Sequence, residues 1–233
     1  MTTRTLSLDS LAPLTGRDIR VAVVDSGVHA DHPHVGGISG GVVIDADGLG
    51  ATDIVSLSDR LGHGTAVAAA IREKAPDVEL LAVKVFDTTL ATTGQSLVEA
   101  ILWSIDQQVH IVNLSLGTQN DEHRKALEMA VQLATDAGVL VVSAAPQPDA
   151  VWLPGALPGV IAVNADWERS RDTCELSVAD DGRVTMVASA YPRPIPGVPP
   201  ERNMRGLSFA VANATGFLAL WLEQGVAKVR GTV

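Results

Sequence analysis

Residues Ile19 to Gly27 read Ile-Arg-Val-Ala-Val-Val-Asp-Ser-Gly. Up to Val24 the run is nearly all aliphatic and rich in β-branched side chains, and a glycine ends it. A run so short and continuous reads as a strand covered on both faces. Four further segments share this character: Leu80 to Phe86, His110 to Leu114, Val139 to Ser143 and Val160 to Val163. Between them, Gly64 to Lys74, Ser96 to Gln107 and Asp121 to Ala137 carry apolar residues at three- and four-residue spacing, the period of a helix with one buried stripe. Asp121-Glu122 opens the last of these and Gly138 follows it, which suits the helix dipole and a glycine stop. Strand and helix alternate. The expected fold is an α/β three-layer sandwich, with a mostly parallel central sheet, right-handed crossovers and helices on both faces.

The last third is less regular. Tyr191 to Pro200, YPRPIPGVPP, holds five of the 12 prolines and reads as an extended surface loop, since proline removes a backbone donor and restricts its predecessor. Ser208 to Gln224, SFAVANATGFLALWLEQ, has few charges and reads as a buried helix. Residues 1–233 are expected to form a single domain, with 1–18 as a short N-terminal extension.

Of the 233 residues 46% are apolar but only 3% aromatic, so the core has to be built from Ala, Val, Leu and Ile. That is enough to offset backbone ordering in one large domain. The net charge of −10 argues against nucleic acid as a partner, because no basic patch relieves the repulsion of phosphate. No stretch of about 18 residues escapes interruption by charge, Gly or Pro, so no membrane span is expected. Met1-Thr2-Thr3-Arg4 leads into no continuous apolar core, unlike a secretory signal, and Cys174 is the sole cysteine. These features predict a cytoplasmic protein without disulfides, with Cys174 a small buried hydrophobe.

In parallel sheets, ligands bind beyond the carboxyl ends of the strands. Asp25 stands at such an end, although alone it reads as a turn aspartate. His63 lies between two glycines in Leu61-Gly62-His63-Gly64-Thr65, at the entrance to an alanine-rich helix. Ser208 in Arg205-Gly206-Leu207-Ser208-Phe209-Ala210 also opens a helix, where free backbone N–H groups can stabilise an oxyanion. A hydroxyl that attacks, an imidazole that takes its proton and a carboxylate that orients the imidazole are the parts of nucleophilic acyl transfer.

The chain order Asp25, His63, Ser208 is that of subtilisin, and the sequence resembles the subtilisin-like serine peptidases in several separate segments. Val24-Asp25-Ser26-Gly27-Val28 with Asp31-His32-Pro33 is similar to the family's aspartate motif, Gly62-His63-Gly64-Thr65 to its histidine motif, and Gly206-Leu207-Ser208-Phe209-Ala210 to its serine motif. Asn113-Leu114-Ser115-Leu116-Gly117 matches the segment that lines the substrate cleft, and Leu153-Pro154-Gly155-Ala156 with Pro158 to Val163 matches a later stretch. The likeness covers about Asp18 to Leu222. It implies a serine endopeptidase in which Ser208 attacks, His63 acts as base and then acid, and Asp25 fixes its tautomer. It further implies that Ser115, Leu116 and Gly117 pair with an extended peptide, with Ala144, Ala145 and Pro146 opposite. The backbone of Ser208 and the amide of Gln147 would hold the oxyanion. The implied partner is a peptide or precursor-protein substrate, with no cofactor and no metal.

Three segments depart from the family. Gln147 stands where the family has the asparagine that donates to the oxyanion, after Pro146 in place of glycine; the amide is kept on a stem one methylene longer. Leu207 replaces a threonine before the serine, and Ala212-Asn213 replaces Pro-His. These changes motivate a second hypothesis, a pseudopeptidase that binds peptides or a partner protein without cleaving them. Within the peptidase reading, the cytoplasmic expectation and weakened oxyanion site suggest an enzyme dedicated to one precursor, such as a leader-removing peptidase. Ile19 already opens the first strand, so no signal or propeptide of the kind secreted members carry is expected within residues 1–18. Asp45-Ala46-Asp47-Gly48 lacks the later glutamate of a calcium loop and reads as a turn. His29, His32 and His34 are read as loop residues, His110 and His123 as partly exposed surface residues.

Overall fold

The computed structural model describes residues 1–45, 48–148 and 150–230, with the backbone alone for 226–230. Its strands are β1 (Thr2–Ser7), β2 (Arg20–Asp25), β3 (Gly40–Asp45), β4 (Gly48–Leu49), β5 (Glu79–Lys84), β6 (Ile111–Leu114), β7 (Leu140–Ala144), β8 (Val160–Asp166), β9 (Thr173–Val178) and β10 (Val184–Ser189). They form one sheet in the order β1-β9-β10-β8-β7-β6-β2-β5-β3-β4. From β10 across to β3 neighbouring strands run parallel, while β9 and β1 at one margin and β4 at the other are antiparallel.

The central strands are buried on both faces, and their side chains alternate between two cores. Val21 and Val23 of β2 join one core, Ala22 and Val24 the other; Leu80 and Ala82 of β5 are likewise divided from Leu81 and Val83. Helices α2 (His63–Lys74) and α5 (Leu207–Arg230) cover the first core, and α3 (Gly94–Asp106) and α4 (Arg124–Asp136) the second. The α/β three-layer architecture expected from the sequence is therefore the observed one. Helix α4 shows the cause plainly: Leu127, Ala130, Val131 and Ala134 are its buried residues, spaced as one helical stripe. From Phe209 to Leu220 α5 is buried all round, as its uncharged sequence required.

Local differences have physical reasons. Asp121–His123 is a 3-10 turn before α4, because Asn120 Oδ1 accepts from the Glu122 N–H at 3.0 Å and caps the chain there. Residues 2–7 of the expected N-terminal extension pair with β9, from Thr2↔Val178 to Ser7↔Thr173, and a single turn of helix, α1 (Leu8–Leu11), follows. This strand is polar and mostly exposed, so no apolar run announced it. The chain from Tyr191 to Pro200 carries neither helix nor strand before the short turn Pro200–Arg202, and Asn213 Nδ2 holds its start by donating to the carbonyls of Ser189 and Tyr191, each at 2.9 Å. Asn213, expected to matter for packing, thus ties α5 to the start of this loop by hydrogen bonds. Asp45 and Gly48 pair across the connection between β3 and β4; Ala46 and Asp47 of the expected turn lie outside the described residues. Cys174 is fully buried, and burial pushes its thiol up to about 12. No described helix is long and apolar enough to cross a membrane.

Candidate active site

Parallel strands align their carboxyl ends, and here that edge carries the polar residues. Strand β2 ends at Asp25, which is fully buried. Helix α2 begins at His63 directly above it. Gly62 supplies the left-handed turn before the helix, at φ +80°. At Gly64 a Cβ would sit 2.2 Å from the carbonyl oxygen of Gly27, so only glycine lets the helix come down onto the strand exit. The approach brings the Nδ1–H of His63 to Asp25 Oδ1 at 2.8 Å. The Ser26 N–H donates to the same oxygen at 2.8 Å, and the Ser26 hydroxyl accepts from the Gly64 N–H at 3.0 Å.

Asp59, a residue the sequence reading missed, locks this junction. Its Oδ1 accepts from the Ser26 hydroxyl and from the N–H groups of Leu61 and Gly62, each at 2.9 Å. Its Oδ2 accepts from the N–H and hydroxyl of Thr65, at 2.8 and 2.7 Å. Gly62 has no side chain with which to cap α2, and Asp59 caps it from four residues before His63. Asp-Arg-Leu-Gly-His-Gly-Thr is an acidic residue just ahead of a helix start, a signal that a search for caps would have found. Burial opposes ionisation of Asp59, but the five donors outweigh it and its pKa is lowered. Burial also works against a charged His63, yet the hydrogen bond and charge of Asp25, with the charge of Asp59, raise its pKa above 6.5.

Ser208 is the second residue of α5, where backbone N–H groups have no partner within the helix. A buried chain of hydrogen bonds fixes it against β6: Thr215 Oγ1 donates to Asn113 Oδ1, Asn113 Nδ2 to Ser115 Oγ, each at 2.9 Å, and Ser115 Oγ to the Ser208 carbonyl at 3.3 Å. The Ser208 hydroxyl itself donates to the Ser115 carbonyl at 3.0 Å. His63 and Ser208 line one cleft of about 300 Å³ with Phe86, Leu116, Gly117 and Trp152. The His63 ring packs on Phe209, centroid to centroid 5.5 Å. The structure therefore gathers Asp25, His63, Ser208 and Ser115–Gly117.

Ala144 to Gln147 are placed differently. Ala144 ends β7 and Ala145 is buried, its N–H bound to the Val163 carbonyl at 2.8 Å. Pro146 and Gln147 are exposed. The Gln147 amide donates to the Ala145 carbonyl at 3.0 Å, and its backbone pairs with Ala150. None of these residues is among those that line the cleft with Ser208. Trp152, which the sequence reading passed over, does line it; a Cβ at Gly117 would lie 3.5 Å from its Cε3. Leu207 is half-buried against the α2–α5 core. His32 and His34 meet edge to face in their loop, and among the described residues no group of His, Cys, Asp or Glu is arranged to hold a metal ion. His110 is half-buried, its Nδ1 accepting from the Arg20 N–H at 3.0 Å, and His123 is half-buried beside Gly94.

Known proteins resemble this chain in sequence and in fold. The chain is 37% identical over 174 residues to the minor extracellular protease Epr of Bacillus subtilis (strain 168), covering 69% of this chain and 25% of that protein. It is 30% identical over 213 residues to subtilisin Savinase of Lederbergia lenta, covering 87% of this chain and 72% of Savinase. The chain thus spans only a quarter of the length of the first of these relatives. Its fold superposes on the prenylagaramide maturation protease PagA with a TM-score of 0.70 and 27% identity, over 95% of this chain and 81% of that one. The model of the subtilase family matches residues 16–228, and with the subtilisin-like fold and relatives of this similarity the chain belongs to the subtilase family.

Proposed function

We propose that the chain is a serine endopeptidase working through Asp25, His63 and Ser208. The observation that carries this is the 2.8 Å bond from His63 Nδ1 to buried Asp25, made by a histidine that lines the same cleft as Ser208. A substrate paired with Ser115–Gly117 places its carbonyl over Ser208. The Ser208 hydroxyl then turns from the Ser115 carbonyl to His63 Nε2, which takes its proton as Oγ attacks. Asp25 keeps Nδ1 protonated and stabilises the imidazolium, which next protonates the leaving amine. Water, deprotonated by the same imidazole, releases the acyl group. The Ser208 N–H, and Gln147 once its amide leaves the Ala145 carbonyl, hold the oxyanion. A fluorophosphonate probe is expected to label the protein and to fail on Ser208→Ala; no labelling from mildly acidic to mildly alkaline pH overturns the proposal.

For the substrate we infer a precursor peptide, cleaved by a dedicated enzyme in the cytoplasm. Support comes from the likeness to PagA, described as a maturation protease, and from the single buried cysteine. Digestion of casein at many unrelated sites would count against it. A second reading, a peptide-binding pseudopeptidase, is favoured by one observation: both the Ser208 hydroxyl and the Gln147 amide are engaged with backbone carbonyls. It expects saturable peptide binding with no labelling.

A further inference from the structure

The proline-rich return of the chain carries a site that the proposed chemistry leaves unused. Trp167, 48% exposed, meets Tyr191 edge to face, with ring centroids 5.8 Å apart and planes at 85°. With Pro192, Pro194 and Pro200 they line a cavity of about 320 Å³. Ser189 belongs to the same lining, is 1% exposed, and its Oγ is buried with no hydrogen-bond partner among the described residues. Folded chains rarely leave such a group unpaired. Arg169 and Arg171 at this cavity are already paired, the first with Asp166 and Glu175, the second with Glu73, so they bring no free charge.

A second hollow adjoins the cavity. Pro192 and Asn203 line both, and the second, of about 250 Å³, also has Gly62 and Met204 in its wall. Gly62 immediately precedes His63, and a Cβ there would lie 3.4 Å from Met204 Cε. None of the residues of the two hollows lines the cleft with Ser115–Gly117. In the reaction proposed above Ser208 keeps the acyl part of the substrate while His63 hands its proton to the leaving amine. Hollows that reach the residue next to His63 and share no lining residue with the Ser115–Gly117 cleft fit the leaving side.

We propose that this groove binds an extended, proline-containing segment of the peptide substrate, C-terminal to the bond cleaved; the assignment of side rests on the peptidase reading. Aromatic rings set among prolines accept proline rings, and a polyproline II segment comes preformed at low entropic cost. Such a segment makes no internal hydrogen bonds, so one of its carbonyls is free to accept from Ser189 Oγ.

Fluorescence anisotropy of fluorescein-labelled decaproline tests the groove. Saturable binding is expected, weakened about tenfold in Trp167→Ala, for loss of an aromatic anchor, and about threefold in Ser189→Ala, for loss of one hydrogen bond. Trp221→Ala, which removes an exposed indole that lines neither hollow, should bind as the unmodified chain does. Absence of saturable binding, or equal affinity in Trp167→Ala and Ser189→Ala, overturns the proposal. Two peptides sharing one scissile sequence then test the side: a proline tail on the leaving side should lower KM, and an equal effect from a tail on the acyl side overturns that assignment. Binding without fluorophosphonate labelling would keep the groove and remove the peptidase reading; labelling without binding would do the reverse.

Discussion

The two halves of the candidate active site are built to different standards. On the side of Asp25 and His63, strand exit, helix start and capping aspartate are tied by short hydrogen bonds, and Asp59 alone accepts five. On the side of Gln147, the segment from Pro146 onward is exposed and its one amide turns back on its own chain. The first half orients a proton acceptor before any substrate arrives, and positional error there is costly. The second half acts only on charge that develops during attack, so it can be assembled late.

The contrast can be broken by substitution, and the largest effect belongs to the ordered half. Ser208→Ala and His63→Ala should each lower hydrolysis of a short peptide amide by on the order of 10⁴-fold or more. Gln147→Ala probes the loose half: if its amide swings to the oxyanion, kcat falls about 10²-fold. A loss under about threefold would leave Gln147 bound to Ala145 throughout turnover and make the difference between the halves permanent. Asp59→Ala should cost about tenfold in kcat/KM through a misoriented imidazole, and about 2 kcal/mol of stability by loss of the helix cap. It should also move the acid limb of the pH profile downward, which a purely structural role would not do.

In the unmodified chain that limb should lie above pH 6.5, because only neutral His63 can act as base and its pKa is raised. The sign for stability is opposite. The charged imidazole is favoured in the folded state, so its contribution is complete below pH 6.5 and is lost as pH climbs through the raised value. Activity and this share of stability should therefore trade against each other in a pH series of rates and melting temperatures. The smallest effect concerns Cys174: with its thiol pushed up to about 12, a thiol reagent should leave the folded chain unmodified and react on denaturation.

Much of this was readable beforehand wherever one residue type had a single physical use. The continuous aliphatic runs of β2, β5, β6 and β7 could only be doubly covered strands, and the glycines around His63 announced close backbone approach. Strands β1, β3, β4, β9 and β10 were missed: β1 and β9 are largely polar and exposed or half-buried, β3 opens on two glycines, β4 has two residues, β10 is half-buried along part of its length, and the partner of β1 lies far along the chain. Asp59 was missed because its role lies in five donors contributed by three segments. Trp152 was missed because nothing near it in sequence places it against Gly117. The orientation of the Gln147 amide depends on loop geometry that residue types leave open.

The edge pairing of Thr2 with Val178 has a consequence for the order of assembly. A ribosome that has delivered β1 must make β2 to β8 before the partner of that strand appears. Ser208 follows later still, on a helix whose flank from Phe209 to Leu220 fills the core between α2 and the sheet. Contacts that span so much of the chain form late. Until α5 docks, Asp25 and His63 can meet but have no nucleophile to activate, so a half-made chain is protected from its own proposed chemistry by the sequence in which its parts appear.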